Sequence, residues 1–453
     1  MRIIPKFPIT LNEIAFALND TVKIREHKII RAITTDSRKT ECGDLFVALE
    51  GDSLSGENFT EDARKKGAYI ISAKNPRSDF KVKDTSIALL SIASYYKSRF
   101  HNLKHTVAIT GSVGKTTTKN ILSAMLSEDF TVHSTHANYN NYLGVAHTIL
   151  SMPQDTEILI TEIGMNHIGE ISHLSKTVKP NISIITNIGN AHIGNLGSRN
   201  IIAKAKLEIL DGMDNGKLIV PHEEELLKHA ENKLTFSYQD KNADCFAHAI
   251  NMCSDFSISD IKTSHYDLKG KTIPLSGKHI ISAVSICALV FEILGLSQES
   301  LSKSIDRISA ECLRARIVKH GKFSFYDDTY SSSPEAILAV FDLLSLYKPK
   351  KISCVLGDML ELGEKSDELH RYIGEKVFQY GFDKLFTFGK SAEYIADGAL
   401  SAGMKENKIF RNCDITAPDI TAKQISSYCE SSEIILCKAS HSIHIDRIYN
   451  FMS

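Results

Sequence analysis

Short apolar runs, each ending in a glycine, a hydroxyl or a charge, recur along this chain and alternate with segments whose apolar residues return every three to four positions. Val107 to Ile109, Ile158 to Thr161 and Ile182 to Ile185 are such runs in the middle of the chain. Phe323 to Tyr326, Ile352 to Leu356, Leu385 to Phe388 and Ile434 to Cys437 repeat the pattern in the last third. Between them, Ile121, Leu122, Met125 and Leu126 have helical spacing. Strands alternating with helices predict α/β layers around mostly parallel sheets. In such sheets ligands bind beyond the carboxyl ends of the strands. That rule makes candidates of Glu162, of His192 one turn after Thr186-Asn187, and of Asp328, Asp358 and Lys438.

The first of these runs leads into Thr110-Gly111-Ser112-Val113-Gly114-Lys115-Thr116-Thr117-Thr118-Lys119, a glycine loop between strand and helix. Glycines let successive backbone N–H groups turn toward an anion, and a helix N-terminus adds positive potential. Lys115 is placed to neutralise phosphate and Thr116 to offer a hydroxyl to magnesium. The common eight-residue form of this loop asks for glycine five residues before Gly114, where Ile109 stands. The spacing is that of a shorter Gly-x-x-Gly-Lys-Thr loop, and Gly111 through Thr117 are the expected nucleotide contacts.

With 453 residues, the chain exceeds one ordinary core, and about 150 residues per domain suggests roughly three domains. Changes in chemistry place the boundaries at 1–83, 84–312 and 313–453. Charged residues at 24% and hydrophobic ones at 43% are proportions of a folded rather than a disordered chain. A formal net charge of −1 gives no general attraction for nucleic acid or anionic membrane, so an anionic ligand must be held by local groups. Nine cysteines without a Cys-x-x-Cys pair speak against a zinc site or a disulfide framework. No run approaches the roughly 20 apolar residues that span a bilayer. A cytoplasmic protein with reduced thiols and no membrane insertion is the expectation.

Three groups are ambiguous on spacing alone. Ser37 and Arg38, within Thr35-Asp36-Ser37-Arg38, could bind phosphate, but a charged turn beside a small sheet explains them better. Asn138, Asn140 and Asn141 form an amide-rich turn able to bind a sugar or peptide, and such turns are also common without ligands. Lys204 and Lys206 read as a surface pair on a helix.

Taken together and in this order, these motifs resemble the Mur ligases of peptidoglycan synthesis across the whole chain. The carriers are Asp36-Ser37-Arg38 with Gly43-Asp-Leu-Phe-Val-Ala-Leu49, the glycine loop, Asn138-Tyr-Asn-Asn141, Glu162-Ile-Gly-Met-Asn-His-Ile-Gly-Glu170 and Asn187-Ile-Gly-Asn-Ala-His192. Ala203-Lys-Ala-Lys206, Asp327-Asp-Thr-Tyr330, Leu356-Gly-Asp-Met-Leu-Glu-Leu-Gly363 and Lys438-Ala-Ser-His-Ser442 continue the series. The resemblance implies a small N-terminal α/β uridine-binding domain, a central P-loop ATPase-like domain with a parallel sheet, and a C-terminal Rossmann-like domain. It implies ATP-dependent amide bond formation through an acyl phosphate, and the stretches Asp327-Asp-Thr-Tyr330 and Gly357-Asp-Met-Leu-Glu-Leu-Gly363 favour the branch that joins D-alanyl-D-alanine to UDP-N-acetylmuramoyl-tripeptide. A monomer is expected.

In that family's terms Lys115, Glu162, His192 and Lys206 are catalytic, and Thr116, Glu162, His192 and Lys206 organise Mg2+. The lysine matching Lys206 is commonly carbamylated in the family, which reverses the surface-pair reading, since a free amine would repel the metal. Arg316 and Asp328 would contact nucleotide. Ser37, Arg38, Asn138, Asn140, Asn141, Tyr330, Lys438 and Ser440 would contact the other substrates. Departures also stand out. Ile280 and Ala283 occupy positions where the family carries two adenine-fixing asparagines, Ser331 and Ser333 replace two more amides, and His441 replaces an arginine. Those exchanges raise a second reading, a catalytically weakened relative that binds nucleotide or UDP-sugar in a regulatory role.

Overall fold

The structure, a computed structural model, describes residues 1–20, 27–51, 54–347 and 350–452. It is an α/β, multi-domain fold whose described residues divide into two compact units, 1–110 with 126–184 and 205–218, and 111–125 with 185–204 and 219–453. No helix among the described residues is long and apolar enough to cross a membrane.

Every apolar run singled out in the sequence is a strand. In the first unit, Ile158–Glu162 lies between His105–Thr110 and Val132–Ser134, parallel to both. All five of its residues are buried, which is why it reads as a continuous apolar run rather than an alternating one. A smaller sheet precedes it in the chain, with Ile33–Thr34, Leu45–Val47, Tyr69–Ser72 and Phe80–Lys81 parallel and Arg2–Ile3 antiparallel at one edge. Phe46, Ala48, Ala63, Ala68 and Ile70 form its core.

In the second unit, the helix Lys115–Leu126 buries Ile121, Leu122 and Met125, as its spacing predicts. The central region is less uniformly parallel than expected. Cys245–Met252 pairs antiparallel with Ser257–Lys262, which pairs antiparallel with Asp267–Ile273. Here Cys245 and Ala247 are buried while His248 is exposed, the alternation of a sheet wetted on one face.

The C-terminal sheet has the order Arg316–His320, Phe323–Asp328, Ile434–Lys438, Ile352–Gly357, Lys384–Phe388, Ile409–Asn412, and only the first pair is antiparallel. The last strand of the chain inserts between two earlier ones. Its register sets Lys438 opposite Asp328 on one side and Leu356 on the other, so the predicted rim of Asp328, Asp358 and Lys438 forms.

Candidate active site

The glycine loop is held by the two residues that follow the strand Ile182–Ile185. Asn187 Oδ1 accepts from the backbone N–H groups of Ser112 and Val113, each at 2.9 Å. Thr186 Oγ1 donates to the Val113 carbonyl at 2.6 Å, and Gly189 N–H donates to Ser112 Oγ at 2.8 Å. Gly111 has φ +147°, and a Cβ there would lie 1.9 Å from Thr186 Oγ1, so no other residue fits. Gly114, at φ +85°, makes the left-handed turn that starts the helix. Lys115 Nζ donates to the Gly111 carbonyl at 2.7 Å, folding the ammonium back over the loop. Helix geometry leaves first-turn N–H groups that the helix itself cannot satisfy, and the loop aims them at one place.

A cavity of about 360 Å³ opens beside the loop, lined among others by Val113, Gly114, Asn187, His279, Ala283 and Glu335. Burial lowers the His279 pKa to about 4, so the ring is neutral at pH 7. The two exchanged family positions separate here. Ala283 lines the cavity, whereas Ile280 is fully buried and is not among its lining residues.

Glu162 closes its strand and is 2% exposed. Asn140 Nδ2 donates to Glu162 Oε1 at 2.8 Å, and Thr135 Oγ1 accepts from the Glu162 N–H at 3.0 Å. Gly164 permits that approach, since a Cβ there would lie 2.9 Å from the Asn140 carboxamide. Asn141 Oδ1 caps the helix Tyr142–Leu150 through Gly144 N–H at 2.9 Å, and the Asn138 carbonyl accepts from Asn140 N–H. The amide-rich turn therefore places a carboxylate and starts a helix. Lys206 corrects the surface-pair reading: it is 2% exposed while Lys204 is exposed, because adjacent even positions on a helix fall on different faces.

Asp328 and Lys438 partner one another. Lys438 is 1% exposed, and its Nζ donates to Asp328 Oδ2 at 2.5 Å and to the Ser331 carbonyl at 2.6 Å. Tyr330 lies between His441, stacked at 5.0 Å, and the Arg314 guanidinium, 4.0 Å from its ring centre. Arg314, which no sequence motif flagged, also donates to Thr116 Oγ1 at 2.8 Å. Its neighbour Arg316, the expected phosphate contact, is exposed on its strand. Ser440 Oγ accepts from Leu360 N–H at 2.9 Å. His192 has a left-handed backbone, and its Nδ1 stands 2.5 Å from Glu361 Oε2. The ring N–H lies off the line between them, so the contact is short without being an aligned hydrogen bond. The imidazole nevertheless holds the Glu361 carboxyl below the usual carboxylate range.

Ser37 and Arg38 lie on a short 3₁₀ turn capped by Asp36. Arg38 is exposed and its guanidinium binds Asp36 at 2.9 and 3.0 Å, while Lys66 Nζ reaches the carbonyls of Ser37 and Arg38. No cluster of three or more histidine, cysteine or acidic side chains suited to a metal occurs among the described residues. Magnesium on a nucleotide needs no such cage, since it takes one or two protein oxygens and fills its shell with phosphate and water. Thr116 and Glu162 are donors of that kind.

Comparison with known proteins supports the same assignment. Residues 29–93 match the model "Mur ligase family, catalytic domain", 109–291 "Mur ligase middle domain", and 313–441 "Mur ligase, glutamate ligase domain". A Bacillus subtilis protein named UDP-N-acetylmuramoyl-tripeptide–D-alanyl-D-alanine ligase is 33% identical over 441 residues, with 93% of each chain covered. The chain belongs to the Mur ligase family. A Synechocystis Mur ligase of the same name is 32% identical over 92% of this chain and 91% of its own. Among solved Mur ligases, MurF from Acinetobacter baumannii superimposes with a TM-score of 0.87 at 27% identity, covering 99% of this chain and all of its own. MurF from Thermotoga maritima in complex with ADP gives 0.79 at 27% identity over 93% and 96%.

Proposed function

We propose that the chain is an ATP-dependent peptide ligase of the cytoplasm that joins D-alanyl-D-alanine to UDP-N-acetylmuramoyl-tripeptide during peptidoglycan precursor synthesis. The observation that carries this reading is a full-length match, at 33% identity, to a relative of that name, in a chain whose phosphate loop borders a nucleotide-sized cavity. In the reaction the γ-phosphoryl group of ATP passes to the tripeptide carboxylate. The dipeptide amine then attacks the acyl carbon, the amide bond forms and phosphate leaves with the bridging oxygen.

Residues 1–83 would hold the uridine end with Ser37 and Arg38, residues 84–312 the ATP, and residues 313–453 the dipeptide. The loop N–H groups and Lys115 would bind the triphosphate. Lys115 moves from the Gly111 carbonyl onto phosphate, where its charge offsets the negative charge gathering on the equatorial oxygens. Arg314, already on Thr116, is placed to follow the phosphate when nucleotide enters. Asn140 keeps Glu162 oriented. The neutral His279 ring and the wall around Ala283 would take the base by shape rather than by paired amides.

Mg2+, when bound, would supply charge neutralisation of the transferring phosphoryl group, with Thr116 and Glu162 holding it and His192 and Lys206 organising a second ion. Lys206, 2% exposed, suits that role as a carbamate, which turns the cation into an anion that a metal accepts. Tyr330, Lys438 and Ser440 would act on the acceptor side, Lys438 through Asp328 and Ser440 through the loop it anchors. The weakened-relative reading draws less support, because Ile280 lies in the helix core rather than on the cavity wall.

The test is phosphate release from ATP with tripeptide substrate and dipeptide supplied singly and together. Release that needs both, with a product heavier by one dipeptide less water, supports the ligase. ATP binding without product under any pairing overturns it.

A further inference from the structure

The stretch Gly357-Asp358-Met359-Leu360-Glu361-Leu362-Gly363 has a part in the site that its motif alone does not explain. Its first residues are pinned at three points. Asp358 Oδ1 accepts from Ala392 N–H at 2.7 Å, Met359 N–H donates to His370 Nε2 at 3.0 Å, and Leu360 N–H donates to Ser440 Oγ at 2.9 Å. The chain then turns through a left-handed Glu361, φ +65°, a conformation uncommon for residues other than glycine and asparagine. Beyond it the backbone meets the segment after His192. Gly194 N–H donates to the Glu361 carbonyl at 2.8 Å, and a Cβ on Gly194 would lie 2.5 Å from Gly363 N. Two backbones in direct contact bring the Glu361 carboxylate 2.5 Å from His192 Nδ1.

We infer that Glu361 is a positioning residue for His192: a carboxylate oxygen 2.5 Å from Nδ1 disfavours a lone pair there, so the proton stays on Nδ1 and Nε2 carries the lone pair. An imidazole fixed in that tautomer accepts at Nε2. It can then ligate a cation or one of its waters, but it cannot donate to a phosphate oxygen. The carboxylate behind the ring favours the acceptor role. An isolated pair on a flexible surface would contribute little. Here both partners stand on pinned backbone, so the carboxylate is already in place before any ligand arrives.

The inference rests on the ligase reading for the purpose of His192 but is tested apart from it. The full chain labelled with 15N-histidine is compared with E361A and the isosteric E361Q at pH 8, and H192Q identifies the His192 signals. The wild type should show the Nδ1–H tautomer, and E361A should shift toward Nε2–H. Calorimetry of ADP binding against MgCl2 concentration should show E361A needing about 10–100-fold more Mg2+. ADP affinity in EDTA should stay unchanged, and E361Q, which keeps an acceptor oxygen, should fall between. An unchanged tautomer together with unchanged Mg2+ dependence in folded E361A or E361Q would overturn the inference. Neither readout requires ligation, so a protein that shows both shifts yet forms no peptide product would sink only the ligase reading.

Discussion

Asn187 offers the sharpest test of how the phosphate loop is built. Its Oδ1 accepts two backbone N–H groups, from Ser112 and Val113, at 2.9 Å each. Asn187→Ala removes the one acceptor that both donors share, while the 3.2 Å bond from Ser112 N–H to the Asn187 carbonyl survives. A donor left without its partner costs about 1–3 kcal/mol when buried; of the two, Val113 N–H loses its acceptor and is only partly buried, so about 1–2 kcal/mol is expected. If half of that is lost as preorganisation of the loop, ADP affinity falls about twofold to fivefold. The melting temperature should drop by about 1–3 °C. Asn187→Asp separates the two effects. A carboxylate accepts the same N–H bonds, so the melting temperature should stay near wild type, but its charge beside the phosphates should weaken ADP binding more than Asn187→Ala does. Calorimetry with ADP and thermal melts of all three proteins read this directly. Wild-type ADP affinity and stability in Asn187→Ala would refute the reasoning.

Other consequences follow from the same geometry. Lys115→Ala should abolish turnover in the ligation assay while leaving the melting temperature nearly unchanged; full turnover would remove the loop lysine from the mechanism. Lys206→Ala should lose activity that millimolar short-chain carboxylates partly restore, and wild-type rates without them would reject a carbamate there. His279 sets a pH signature. Burial holds its native pKa at about 4, against 6.5 for the ordinary ring, so above pH 6.5 it contributes no pH dependence. As pH falls from 6.5 to 4 the unfolded chain takes the proton first, and stability drops by about 1.4 kcal/mol per unit, reaching about 3 kcal/mol. Urea unfolding of His279→Gln should show a flatter acid limb than the wild type, and equal slopes would contradict the burial argument.

The strands and their rims were legible because buried parallel strands must be apolar along their whole length, and because polar residues mark where each run ends. Glu162, Asp328 and Lys438 were found in that way. What escaped was whatever depended on three-dimensional facing. Lys204 and Lys206 look alike in the sequence, yet only Lys206 is buried. Ile280 and Ala283 look like one loss, yet only Ala283 borders the cavity. Arg314 sits two residues from the arginine that the motif pointed to, and its contact with Thr116 spans 198 positions of chain, a distance over which no local pattern carries information. The antiparallel strands Ser257–Lys262 and Asp267–Ile273 were missed for another reason. Their alternating, half-polar residues lack the unbroken apolar runs by which the other strands were recognised.

The central claim is that the peptide carboxylate itself becomes phosphorylated on this protein. It is tested by supplying UDP-N-acetylmuramoyl-tripeptide labelled with 18O in the reacting carboxylate, together with ATP and D-alanyl-D-alanine, and measuring the mass of the released phosphate. An acyl phosphate intermediate places one 18O in each phosphate released per peptide bond formed. Phosphate free of 18O, released at a rate matching product, would contradict the account.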